Sequence, residues 1–166
     1  MSVLLALPIL GALLILQSAV LSRIPLLHGT SDLVLLAILG WALQKRVRTA
    51  WHWAVIGGLM VGYASELPTA AVLIGYLAAT GLALLLKQRV WQLPVLAMLI
   101  AVFFGTLIVH LLSIITLRIA QTPIPLLESI NLITLPSVLL NLLLAIPFYT
   151  LFGDLANWLY PEELEM

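Results

Sequence analysis

The sequence predicts an all-α, polytopic membrane protein of about six transmembrane helices. Of its 166 residues, 63% are hydrophobic and only 8% are charged, whereas a soluble domain carries about a quarter charged residues on its surface. The apolar residues run continuously instead of alternating with polar ones, which favours helices over a barrel. Lipid offers the backbone no hydrogen-bond partners, so each spanning element has to satisfy its own.

The first helix spans residues 3–21, close to the roughly 20 residues needed to cross hydrocarbon. No Lys or Arg precedes it and no obvious small-residue cleavage site follows, so it reads as a retained helix. A loop with Arg23, Pro25, His28 and Gly29 leads to a second helix at 33–44. At roughly 18 Å by helical rise, that helix is too short to cross unaided. Lys45, Arg46 and Arg48 follow. The third helix, 49–66, stops before Pro68, and the fourth, 69–86, runs into Lys87 and Arg89. The fifth covers 93–117. The connection 118–135 holds Pro123 and Pro125; it is mostly apolar yet too short to span, and is expected to lie flat at the outer interface with Glu128 and Asn131 toward water. The sixth helix, 136–159, precedes an acidic tail with Glu162, Glu163 and Glu165. The whole chain reads as one membrane domain.

Charge sets the orientation. With six helices, Lys45, Arg46, Arg48, Lys87 and Arg89 share a side with both termini, and only Arg23 and Arg118 lie opposite. The positive-inside rule then places both termini in the cytoplasm. Trp41, Trp51, Trp53, Trp91 and Trp158 all fall near that side, where indole rings favour the headgroup level.

Small residues form the clearest motif. Ala50, Ala54, Gly58 and Gly62 recur every four residues along the third helix, with Glu66 as the next step. Ala71, Gly75, Ala79 and Ala83 do the same on the fourth, and Ala97, Ala101 and Gly105 on the fifth. Such seams let backbones approach closely where packing drives association. They serve either internal packing or the docking of a partner's helix. Glu66 reads either as a buried carboxyl paired with a polar neighbour or a partner protein, or as an interfacial carboxylate reaching for water; the dipole at that helix end disfavours an anion. Gln17 and Asn141 are amides within helices and are expected to bond between helices. His110 stands alone in the fifth helix and reads as a packing residue, since a metal site needs several ligands.

Several functions find no footing. There is no cysteine, so disulfides and thiolate metal sites are excluded. Seven basic and seven acidic residues balance, and no basic patch suggests nucleic acid. No nucleophile–base pair, carboxylate dyad, metal cluster, phosphate loop or Gly-rich cofactor turn is visible, so neither an enzyme nor a cofactor is expected. A pump or channel would carry a series of ionisable residues through the bilayer, and none is present.

The chain resembles the rod shape-determining protein MreD family. Leu16-Gln17 matches a Leu-Gln pair in that family's first helix. Ser31-Asp32-Leu33 occupies the Pro-Asp/Asn-hydrophobic start of its second, with Ser in place of Pro. Gly58, Gly62 and Glu66 follow the family's G-x-x-x-G-x-x-x-D, with Glu in place of Asp. Asn141 and Pro147 match the Asn and Pro of its last helix. The resemblance implies a bacterial inner-membrane scaffold of the cell-elongation machinery and a fold similar to the substrate-binding subunits of energy-coupling-factor vitamin transporters. It also implies partners: a single-span MreC-like protein, a glycosyltransferase and a class B penicillin-binding transpeptidase. A rival from another class is the vitamin-capture subunit itself, which would need an outward pocket with polar and aromatic walls.

Overall fold

The computed structural model describes residues 2–19, 29–89, 93–121 and 125–161. Arg23, Pro25, His28, Trp91, Pro123 and the tail glutamates lie outside the described residues. The chain is all-α. Its elements are α1 (Ser2–Ala19), α2 (Leu33–Ala42), α3 (Ala50–Ala64), α4 (Thr69–Arg89), α5 (Pro94–Ile119) and α6 (Leu126–Ser129), then a π-helical turn (Ile130–Thr134) and α7 (Leu135–Leu159). Four stretches are long and apolar enough to cross a membrane: α1, α4, α5 and Leu127–Leu159. They suggest a multi-pass membrane protein.

The layout is five helices around one. All ten residues of α2 are buried, and it touches α1, α3, α4, α5 and α7. A helix that is apolar on every side belongs in such a centre. This resolves its shortness, because a helix sheathed by its neighbours need not reach either headgroup layer. It is also shorter than expected: Leu43 and Gln44 leave the helix, and Gln44 Nε2 donates to the carbonyls of Gly40 and Tyr149.

Small residues set how closely the surrounding helices approach. A Cβ on Gly57 would lie 2.6 Å from Ile38 of α2, and one on Gly58 would lie 3.0 Å from Leu73 of α4. Gly62 is close to the α4 backbone, at 2.7 Å from Thr69 Cγ2 and 3.0 Å from Thr69 Cα. On the next interface, Gly75 faces Val109 of α5 at 3.3 Å, and Gly105 faces Ala79 at 3.3 Å. The seams of α3, α4 and α5 are therefore filled by the chain's own helices.

The connection before α7 differs from the flat segment expected. Residues from Leu126 onward are helical and run on into α7. Pro136 explains the π-helical turn. A proline has no N–H to give and its ring crowds the carbonyl four residues back. Widening the preceding turn, with Leu135 N–H bonding to Ile130 O, lets the helix continue past it.

At the opposite end the two described chain termini meet. Tyr160 Oη donates to Ser2 Oγ at 2.9 Å, Trp53 Nε1 donates to Ser2 O at 3.2 Å, and Trp41 Nε1 donates to Thr49 Oγ1 at 3.3 Å. Arg46 donates to Tyr160 O and Lys87 to Val47 O at the same end. Trp41 and Trp53 stack at 4.7 Å and are fully buried. This corrects the expected aromatic belt: Trp51 and Trp158 are exposed, whereas these two indoles are core, because their N–H groups find acceptors inside.

Gly62→Val forces α3 away from the α4 backbone. It is expected to destabilise the protein by about 1–3 kcal/mol, read as a lower melting temperature in detergent. Gly11→Ala, whose new methyl meets only the flexible end of Met60 at 3.4 Å, is expected to leave the melt unchanged.

Candidate functional site

The polar side chains of the interior gather at the start of α2. Thr106 stands at the middle of the 26-residue α5, and Asn141 lies well inside the continuous helix Leu127–Leu159. Because Asn141 bonds both Thr106 and Asp32, the first turn of α2 begins inside the bundle and not at its rim. Its opening N–H groups have no helical acceptor. Side chains from the surrounding helices supply the acceptors.

The N–H groups of Asp32, Leu33 and Leu35 each meet a side-chain acceptor. Asn141 Oδ1 accepts from Asp32 N at 2.9 Å and from Ser31 Oγ at 2.8 Å. Its Nδ2 donates to Thr106 Oγ1 at 2.9 Å. Gln17 Oε1 accepts from Leu33 N at 2.9 Å. Asp32 caps the helix directly, its Oδ1 accepting from Leu35 N at 2.9 Å. The Tyr76 hydroxyl lies 2.7 and 2.6 Å from the two carboxylate oxygens of Asp32. One residue upstream, Thr30 N donates to Ser137 Oγ at 3.1 Å. The cluster thus joins α1, α2, α4, α5 and α7. Among the described residues no buried side-chain polar atom lacks a partner.

Backbone shape makes room for this. Gly29 passes so close to α7 that a Cβ would lie 2.5 Å from Pro136 and 2.8 Å from Ser137 N. The extended stretch before α2 is therefore laid directly on the start of α7. Asp32 is an N-cap in its usual place, where the positive end of the helix dipole favours an anion. The donors to its carboxylate are neutral groups, a hydroxyl and an amide. Beside the cluster, between α1 and the end of α3, lies a cavity of about 210 Å³ that includes Gln17, Thr30, Val61 and Ser65 in its lining.

The residues singled out from sequence divide clearly. Gln17 and Asn141 meet here, both holding the backbone of α2. Gly58 and Gly62 lie on the α3–α4 interface, and Gly75 and Ala79 on the α4–α5 interface. Glu66 belongs to neither group. It is exposed in the bend after α3, so no neighbour within this chain buries it. The helix ends at Ala64, before the expected Glu66, because Pro68 begins the next element nearby. His110 bonds Thr134 and has no metal-ligating companions among the described residues.

Sequence reasoning did not name Tyr76, Thr106 or Ser137. Asp32 entered only through the family resemblance, and its capping role was not named. Single hydroxyls within long apolar helices gave no signal. No family model, curated protein or solved structure matches the chain.

Asn141 carries three hydrogen bonds of the cluster and Gln17 one. At about 0.6 kcal/mol per interhelical bond, Asn141→Leu is expected to destabilise by about 2 kcal/mol. Gln17→Leu should cost about a third of that. Unfolding in detergent or bicelles measures both, and equal losses would show that the cluster does not hold α2.

Proposed function

We propose that the chain is a non-enzymatic membrane scaffold of the bacterial cell-elongation machinery, of the MreD type. In this reading it has six membrane helices, both termini in the cytoplasm, and a fold like the substrate-binding subunits of energy-coupling-factor transporters. It binds an MreC-like single-span protein and helps regulate peptidoglycan synthesis by a glycosyltransferase and a class B penicillin-binding transpeptidase.

One observation carries most weight. Part of the resemblance, namely Gln17, Ser31-Asp32-Leu33 and Asn141, lies far apart in sequence yet is bonded around a single helix start. A chance likeness in an apolar sequence has no reason to converge in space. The filled interior agrees with work done by shape and contact. The partner's helix packs on the outside of the bundle in this scheme, since the small-residue seams are already occupied from within. Leucine at Gly58 or Gly62 would thus break the fold before it tested docking.

Gentle extraction of a tagged chain, followed by mass analysis, is expected to bring down a single-span protein with an outer domain. A stoichiometric vitamin in its place would favour the capture-subunit reading. Orientation is tested separately in this cysteine-free chain. Glu66→Cys is expected to react with an impermeant maleimide in intact spheroplasts, and Lys45→Cys only after lysis.

A further inference from the structure

The cavity of about 210 Å³ between α1 and the end of α3 has a polar end and an apolar end. The two helices run the same way, since Ser2 at the start of α1 bonds Thr49 and Trp53 at the start of α3. Ser18 and Ser65 line the cavity toward the helix ends, Leu14 and Val61 line it about a turn deeper, and Gln17 and Ala64 stand between them.

Gln17 offers a donor there. The Leu33 N–H can only donate, so the amide turns its Oε1 toward it, at 2.9 Å, and its NH2 points the other way. That NH2 has no acceptor among the described residues. No buried side-chain polar atom among them lacks a partner, so the NH2 is not enclosed by protein and reaches the open space of the cavity. The neighbouring hydroxyls are committed: Ser18 Oγ donates to Leu14 O at 2.9 Å and Ser65 Oγ to Gly62 O at 3.4 Å. Thr30, also in the lining, is exposed.

Depth narrows the ligand. Glu66 is exposed in the bend between α3 and α4, and its carboxylate marks the headgroup level. By helical rise the α3 wall of the cavity, from Ser65 to Val61, runs from about 1.5 to about 7.5 Å beneath it. The interfacial layer on each side of the hydrocarbon is about 5–7 Å thick. The free NH2 therefore stands near the depth of lipid ester groups, and Leu14 and Val61 lie where hydrocarbon begins. Polar above and apolar below is the order of a glycerolipid. A polypeptide helix is about 10 Å across and does not enter this space, whereas an apolar cavity of about 150 Å³ already admits benzene.

We propose that this cavity seats an ester-linked acyl chain of a glycerolipid from the leaflet on the Glu66 side, with Gln17 Nε2–H donating to the ester carbonyl. The first carbons of the chain run down against Leu14 and Val61. One amide then serves twice: its oxygen holds α2 and its nitrogen holds the lipid. The site borders the polar cluster but does not depend on the proposed scaffold role.

The test compares phosphatidylethanolamine bearing ester-linked chains with the ether-linked analogue of equal length, which lacks the carbonyl. The delipidated full chain is titrated with each in detergent and read by native mass spectrometry. The wild type is expected to retain the ester form about fivefold better, the worth of one hydrogen bond. Gln17→Met keeps the length of the side chain but has no donor, and should retain both lipids as the wild type retains the ether form. Ala64→Trp, at an exposed position, should expel both lipids and leave the melt unchanged. Equal retention of ester and ether lipid by the wild type overturns the proposal, and so does a Gln17→Met chain that still prefers the ester. A photo-crosslinking residue at Ala64 that captures a polypeptide in cells instead of lipid overturns it as well.

Discussion

The fold depends on one constraint: a helix that begins inside an apolar bundle must have its first N–H groups met by side chains. Water normally does this at a helix end. At the start of α2 an amide from α1, an amide from α7 and the helix's own aspartate do it instead. Each of these contacts also fixes the position of the helix that supplies it. The same bonds that satisfy α2 therefore arrange the ring around it.

Packing completes what the polar cluster begins. Between helices in lipid there is little hydrophobic drive, because hydrocarbon is as apolar as leucine. Close contact has to come from shape. Gly57 and Gly58 serve this on two sides of one helix, admitting Ile38 of α2 on one face and Leu73 of α4 on the other. α3 is thus clamped between the centre and the ring. At the other end the stacked Trp41 and Trp53, bonded to Thr49 and Ser2, tie the loop after α2 to the start of α1.

Much of this was legible from the residues. Long apolar runs marked the helices, and the period-four small residues marked the interfaces. Gln17 and Asn141 announced themselves as amides with no solvent to bond. What could not be read was convergence. Tyr76 and Thr106 each sit in a run where a hydroxyl is unremarked, and only the three-dimensional arrangement turns them toward Asp32 and Asn141. The tryptophans misled for a related reason. An indole near a helix end suits the interface, but an indole whose N–H meets an internal acceptor suits the core equally well, and sequence does not show the acceptor. The π-helical turn was hidden because Pro136 reads as a helix start, whereas the helix runs through it with a widened turn.

Neutral donors around Asp32 carry a further consequence for specificity. A buried carboxylate paired with an arginine could find a substitute in any cation. Here Tyr76 contributes a single hydroxyl at the end of a rigid ring, buried on α4 and aimed at one helix start. Moving α4 by a helical turn, about 5.4 Å, would break that contact and offer the carboxylate an apolar wall. Sliding α7 by the same amount would strip Asn141 from Ser31, Asp32 and Thr106 at once. Apolar surfaces tolerate such slips, since one leucine face resembles the next. The cluster does not, so it selects a single register for helices that hydrocarbon alone would leave free to slide.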